Sequence, residues 1–414
     1  MPVDTPEALK EADPPQAVMD GEPLGVLVTD AHERCAVAAC ESLALAGYRV
    51  GTASSERLAP AHWSRFSDAR LHVPDPRTAS RRFAQEVATI AEEGGFATVI
   101  PGNDASVIAI SSNRELFADT VRLGLPVKET VDACVNKANL LEKAVEAGFS
   151  APETLVCTTQ DEVRAAAEEL GYPVVLKPRR TVFSHDGGTR QRQSFMAWDW
   201  ESLVHRLPEF GFPCLLQRRE QGPLISIGGV AADGGLLAIA PSRYIRTWKP
   251  DAGSVSFSRT IAAPLHLVAS VERLVGSMGW SGIFELELIE TSASALSAID
   301  FNPRSYGSMA LAVDTGASLP AVWCDWLLKG KATARATARP GVFYRWGDAD
   351  IRHVARFLRE KRLAAGISVL RPRRHTVHPY FRGTDPRPAM ARFAQMLWNS
   401  WLRRRGRDPA NVWQ

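Results

Sequence analysis

Asp300, Asn302 and Arg304 stand at alternate positions in "SAIDFNPRSYG", and Glu287 lies in the preceding run "GIFELELIE". Together, Gly282 to Gly307 read as two strands joined by a polar hairpin. Successive strand side chains point to opposite faces, so Asp300, Asn302 and Arg304 share one face. Ile299 and Phe301 between them read as buried, and Pro303 closes the strand where its missing N–H does least harm. Carboxylates, an amide oxygen and a guanidinium directed at one place suit a hard divalent cation and phosphate oxygens. An Asp-x-Asn alone would read as the solvent face of an edge strand. Glu287 on the partner strand and the Asn-Pro-Arg ending favour a Mg²⁺–phosphate site.

Two lysines can complete such a site. Lys137 lies on an amphipathic helix predicted from Val131 to Gly148, with Leu140, Leu141, Ala144 and Val145 on its apolar side. Lys177 ends the apolar strand "GYPVVLKP". Each lysine alone reads as a solvated surface charge; their occurrence in order with the carboxylates points to phosphate.

The elements that position these residues follow from periodicity. The strand "LGVLVTD", a helix over Cys35–Ala46, the strand "YRVGTA", a helix near Ser80–Glu93 and the strand in "FATVIPGNDASVIAI" form a β-α-β-α-β series. That order predicts a parallel, doubly wound sheet, with Thr29-Asp30 and Asn103-Asp104 on its ligand-binding rim. No G-x-G-x-x-G follows the first strand, which argues against a nicotinamide cofactor. Asn103 and Asp104 read equally well as helix N-caps. Further on, "FPCLLQRREQGPLISIGGVAADGGLLAIAPSRYI" predicts three antiparallel strands, and residues 179–190 a mobile loop. Residues 1–23 read as a disordered tail, 24–125 as the first domain, 126–330 as the second, and 331–414 as a linker and basic extension.

Composition sets the bounds. A chain of 414 residues with 45% hydrophobic and 23% charged content is an ordinary globular protein of two or three domains. Net charge is +3, yet basic residues crowd between Arg352 and Arg407, leaving the remainder acidic, so the whole chain is not a nucleic-acid binder. Six scattered cysteines without C-x-x-C spacing read as buried thiols. With no leader or membrane-spanning run in view, the expected compartment is the cytoplasm.

Near the C-terminus, "MARFAQMLWNSWLRRRGR" places Phe393, Leu397 and Trp401 at four-residue spacing, with Met390, Trp398 and Leu402 nearby. A basic amphipathic helix can lie on an anionic membrane or dock onto a partner. Such helices more often pack on their own core, and that is the expectation here. Trp323, Trp326, Trp398 and Trp401 also leave room for a homodimer.

Taken together, these residues resemble the ATP-grasp superfamily from about Leu24 to Gly330. The resemblance implies an α/β and α+β fold: a Rossmann-like pre-ATP-grasp domain, then a two-lobed ATP-grasp domain that closes on Mg-ATP, here followed by a C-terminal helical extension. It implies that Lys137 reaches a phosphate and that Lys177 contacts the α-phosphate and adenine. The 179–190 segment is similar to the loop that covers the β,γ-phosphates. Gln217, Arg218, Arg219 and Glu220 match the hinge beside adenine. Glu287, Asp300 and Asn302 match the ligands of Mg²⁺ (or Mn²⁺), and Arg304 the catalytic arginine. "NPRSYGS" and "RTWKPDAGS" most resemble the carboligase-like branch related to carbamoyl-phosphate synthase and biotin carboxylase. Leu224 replaces the glutamate that often holds the ribose, and Asp300-Phe301-Asn302 replaces the usual Glu-x-Asn.

The activity so implied is ATP-dependent ligation of a small-molecule carboxylate to an amine through an acyl phosphate, releasing ADP and phosphate. Arg243 and Arg246, with Trp248, are candidates for the acceptor pocket, or else belong to a surface hairpin. Activation of bicarbonate, a non-catalytic ATP-binding regulatory module, and a peripheral membrane scaffold are the alternatives.

Overall fold

Short apolar runs alternating with helical repeats build a parallel sheet in the order Ala69–His72, Arg49–Ser54, Gly25–Val28, Phe96–Ile100, Arg122–Leu123. The computed structural model describes residues 22–405 except 181, 186–187, 250–251, 293–294, 331–333 and 384. For 182–185, 188–191, 249, 252, 292 and 403 it gives the backbone alone. The segment read as a disordered tail lies almost wholly outside the described residues. Beyond the three strands predicted from sequence, Ala69–His72 and Arg122–Leu123 extend the sheet; both are too short and mixed in polarity to show an apolar period.

Strand order reverses beside Gly25–Val28, the point where parallel sheets of this kind take ligands at the carboxyl ends of their strands. Asp30, held at a positive φ of 56°, accepts from Gly102 N at 2.9 Å, Asn103 Nδ2 at 2.8 Å and Ser106 Oγ at 2.9 Å. Asn103 caps the helix Asp104–Ser111 through Ser106 N at 3.0 Å. The predicted rim therefore exists, and both Asp30 and Asn103 are spent on holding it together.

The predicted single helix from Val131 to Gly148 is two helices, Lys128–Cys134 and Lys137–Glu146. Asn136 makes the break: its side chain leaves the helical ladder to cap Ala138 N at 3.2 Å. Lys137 is thus a first-turn residue, and Val145, expected on the apolar side, is exposed.

A small lobe follows, with a four-stranded antiparallel sheet ordered Phe195–Ala197, Val174–Pro178, Cys214–Arg218, Thr154–Cys157. Helices Gln160–Leu170 and Trp200–Phe210 bury Val163, Leu170, Leu203 and Leu207 against it as a separate core. The segment predicted as a loop contains a two-stranded hairpin, Val182–His185 with Gly188–Gln191.

The larger sheet runs Ala295–Asn302, Gly282–Ser292, Leu224–Ala232, Gly235–Lys249, Ala252–Thr260, Phe343–Arg345, Thr376–Val377, with Ala336–Thr337 also paired to Gly235–Lys249. Cys214–Arg218, predicted to pair with Leu224–Ala232, belongs instead to the small sheet; the chain crosses between lobes at 219–223. One face of the large sheet shares a continuous core with the parallel sheet, through Leu27, Val99, Ile227, Phe284, Leu286 and Phe301. Three short strands of the C-terminal region thus belong to the large sheet. All six cysteines are buried and unpaired.

Candidate active site

Glu285 sits opposite Asn302, and Glu287 opposite Asp300, in the antiparallel pair Gly282–Ser292 and Ala295–Asn302. Residues directly opposed in such a pair share a face, so four polar side chains form one patch. The next strand adds Ser226, registered against Glu287. Ser226 Oγ donates to Glu285 Oε1 at 2.7 Å, and Asn302 Nδ2 donates to Glu285 Oε2 at 3.2 Å. Tyr244 OH lies 2.9 Å from Glu287 Oε1 and 3.3 Å from Glu285 Oε1.

Cations enter from three directions. Lys137, at the start of its helix, forms an ion pair with Asp300. Lys177, from the small lobe, donates to Ile299 O at 3.0 Å. Arg304, just past the strand end, donates from Nη2 to Asn302 Oδ1 at 3.2 Å, from Nη1 to Ser305 O at 2.9 Å, and from Nε to Asp104 Oδ1 at 2.7 Å. The cluster therefore bridges the small and large sheets, and Asp104 ties it to the helix that follows Phe96–Ile100. The predicted residues Lys137, Lys177, Glu287, Asp300, Asn302 and Arg304 come together within it.

Burial sets the electrostatics. Glu287 is pushed up to about 8 by burial first, then by the neighbouring Glu285 and Asp300. Burial also raises Glu285, partly offset by the Ser226 bond and Arg304. Burial would raise Asp300 as well, but Lys137 and Lys177 more than offset it, and its acid strength rises. Lys177 is lowered to about 8 by burial and by Lys137, against the pull of Asp300, Glu287 and Glu220. Two carboxylates, Glu285 and Glu287, are therefore left short of positive charge.

The residues expected at the hinge divide. Gln217 is buried, with Nε2 donating to Thr154 Oγ1 at 2.8 Å. Arg218 Nε turns outward to Glu153 Oε2 at 2.8 Å. The Arg219 guanidinium lies 5.2 Å from the Trp198 ring centroid. Glu220 Oε2 is buried without a hydrogen-bond partner among the described residues. Buried acceptors are rarely left unpaired, so this oxygen is available to a ligand donor.

Arg243 and Arg246 are paired with acids outside the cluster. Arg243 pairs with Glu290 at 2.8 Å, on the sheet face opposite its neighbour Tyr244. Arg246 pairs with the buried Asp350, which Arg345 also approaches at 3.5 Å. Glu285, Ser226 and Tyr244 went unnoticed in the sequence. The alternation of "FELEL" carried the signal for Glu285, since two residues apart means one face.

Among the described residues, no three His, Cys, Asp or Glu side chains form a ready-made metal cage. Lys137 already holds Asp300, and three neighbours hold Glu285.

No protein-family model and no curated protein matches the chain. Solved structures do. N5-carboxyaminoimidazole synthetase from Staphylococcus aureus, complexed with ADP, matches with a TM-score of 0.59 at 11% identity, over 77% of this chain and 80% of that one. The biotin carboxylase domain of Hydrogenobacter thermophilus 2-oxoglutarate carboxylase matches with a TM-score of 0.60 at 16% identity, over 77% and 73%. L-amino acid ligase from Bacillus licheniformis matches with a TM-score of 0.55 at 17% identity, over 74% and 75%. On these likenesses the chain has the ATP-grasp fold.

Proposed function

We propose that the chain is an ATP-dependent ligase that joins a carboxylate to an amine through an acyl phosphate, releasing ADP and phosphate. One observation carries this reading: Lys137, Lys177 and Arg304 meet Glu285, Glu287, Asp300 and Asn302 where the helix Lys137–Glu146 and the small and large sheets come together, with Glu287 raised to about 8. A carboxylate in that state lacks a cation. Mg²⁺ usually takes only one or two carboxylates and completes its shell with substrate phosphates and water, so the absence of a closed cage suits it. Glu287 and Asp300, with Asn302 beside them, would hold the ion, which when bound neutralises charge on the phosphates.

The protein's own groups have defined tasks in this scheme. Lys137 and Lys177 bind phosphate oxygens, and phosphate competes with Asp300 for Lys137. The unpaired Glu220 oxygen accepts from an N–H or hydroxyl of the nucleotide. Arg304, kept charged because Asp104 outweighs its burial, orients the carboxylate for in-line attack on the γ-phosphate. The same guanidinium then faces the oxyanion formed when the amine attacks the acyl phosphate. The strands Val182–His185 and Gly188–Gln191 would serve to exclude water, which would hydrolyse the acyl phosphate.

Bicarbonate as the activated carboxylate is the second reading, supported by the biotin carboxylase neighbour, whose structure contains bicarbonate. The deciding experiment is ADP release from Mg-ATP by wild type and Glu287→Gln, with pooled carboxylates and amines or with bicarbonate. Release that requires the pool and disappears in the variant supports ligation. AMP and pyrophosphate as products overturn it, and release driven by bicarbonate alone selects the second reading.

A further inference from the structure

The helix Arg387–Arg404 is turned the opposite way from the sequence expectation. Arg392, Gln395 and Asn399 face the protein and are at most 7% exposed. Met390, Phe393, Leu397, Trp398 and Trp401 face outward and are 40 to 66% exposed. Polar contacts fix this orientation. Arg392 donates to Asp348 Oδ2 at 2.8 Å, and Gln395 to the Glu56 carboxylate at 2.5 Å. Rotating the helix to hide its apolar stripe would break the buried Arg392–Asp348 pair and take Gln395 from the half-buried Glu56, and stranding a buried charge is strongly destabilising.

The outward positions 390, 393, 397 and 401 follow three- and four-residue spacing, so they form one continuous stripe. Trp398 and Trp401 stack with centroids 5.0 Å apart, and the Arg405 guanidinium sits 4.1 Å from the Trp401 ring centroid. Arg387, paired with Asp385 at 2.9 Å, lies at one end of the stripe and Arg403, Arg404 and Arg405 at the other, with no acid between. The neighbouring helices Gly347–Arg359 and Leu363–Leu370 repeat this chemistry. Ile351, Leu358, Leu363, Ile367 and Leu370 are exposed, among arginines from 352 to 374 whose sole acidic companion is Glu360.

We infer that this C-terminal region docks on an anionic lipid bilayer, with the Met390–Trp401 stripe lying in the interface plane. Charge decides between occupants. If two copies paired through this stripe, a parallel arrangement would set Arg403–Arg405 against itself, and an antiparallel one would set it against an Arg387 whose acid, the buried Asp385, is already engaged by Arg387, Ser64 and Arg65 N. The helix has no acid to answer either. A surface of anionic headgroups answers all of them, and indole, phenyl and leucyl side chains are those that partition into the headgroup boundary. No helix among the described residues is long and apolar enough to cross a membrane, so the contact is peripheral.

The test is co-sedimentation of the full chain with vesicles of phosphatidylcholine containing phosphatidylglycerol, and with phosphatidylcholine alone. Binding should require phosphatidylglycerol and weaken severalfold as salt rises. Leu397→Ser/Trp401→Ser should lower binding by about tenfold or more, since it removes apolar area from an exposed face. Arg404→Glu/Arg405→Glu should lower it severalfold at low salt and little at high salt. Sedimentation velocity on the same proteins supplies the second arm. No vesicle binding by the intact chain overturns the proposal. So does a wild-type dimer that becomes monomeric in Leu397→Ser/Trp401→Ser, because the stripe would then belong to a second copy. Unchanged thermal unfolding of these surface variants excludes misfolding as the cause of lost binding.

Discussion

Arg304 Nε donates to Asp104 Oδ1 at 2.7 Å, across 200 positions of sequence. Asp104 opens the helix that follows Phe96–Ile100 in the parallel sheet, whereas Arg304 follows the strand that carries Asp300 and Asn302. The pair fixes the guanidinium relative to both domains, and Asp104 keeps it charged despite burial.

Asp104→Asn keeps a polar side chain at the helix start but removes the charge that holds Arg304. Arg304 retains its bonds to Asn302 and Ser305, so the loss in stability should be about 1–3 kcal/mol. Misplacing a group that orients the reacting carboxylate costs far more in rate than in folding. Steady-state kinetics should show kcat/KM for the carboxylate reduced about tenfold to a hundredfold, while KM for ATP stays near wild type. A wild-type kcat/KM in Asp104→Asn would reduce the residue to a first-turn acid of its helix.

Glu287→Gln should abolish turnover and, at high pH, stabilise the protein. The folded state holds the Glu287 proton up to about 8, far above an ordinary carboxylate. Its contribution to stability is therefore fully present below the usual carboxylate range and is lost as pH rises through 8. Glutamine mimics the protonated form at every pH. Thermal unfolding in EDTA should place the variant several degrees above wild type at pH 9, a gain of about 2 kcal/mol or more, and level with it near pH 4. Equal melting temperatures at pH 9 would mean that Glu287 ionises freely in the folded chain.

Much of this arrangement is legible in the sequence because it depends on local period. The parallel sheet, its rim and the Glu287–Asp300–Asn302 hairpin all follow from alternation and helical repeats. The break at Asn136 was not legible, since a cap and a solvent-facing asparagine look alike before the chain turns. Arg243 and Arg246 read as a guanidinium pair, but the partners they take, Glu290 and Asp350, lie far off in sequence, and it is Tyr244 between them that touches Glu285 and Glu287. The C-terminal helix shows the limit most clearly. Its stripe was visible, but its orientation depends on Asp348 and Glu56, which lie 44 and 339 positions away from their partners.

The pH dependence of kcat/KM for Mg-ATP should be bell-shaped about pH 8. Glu287 must lose its proton to bind the ion, which gives the rising limb, and Lys177, lowered to about 8, must keep its proton to bind phosphate, which gives the falling limb. The two groups interact, so the apparent values belong to the pair. Lys177→Arg keeps its charge to much higher pH and should remove the falling limb while lowering the maximum, because a planar fork does not fit a site shaped for a point charge. A falling limb that persists in Lys177→Arg would assign it to another group.

Gly228 lies opposite Glu285 on the adjoining strand, and any Cβ there would overlap the hydroxyl of the buried Tyr306. Tyr306 follows Arg304 by two residues, so displacing its ring moves the turn that carries the guanidinium. Gly228→Ala should cost about 1–3 kcal/mol by overpacking, read as a lower melting temperature. It should also reduce kcat, because the shift reaches Arg304 and the Glu285–Asn302 bond. Tyr306→Leu in the same chain removes the colliding hydroxyl and ring edge. The double variant should then be more stable than the sum of the single losses, a coupling that a double-mutant cycle measures directly. Additive losses would show that the alanine is absorbed by the strand and that Tyr306 does not bear on Gly228.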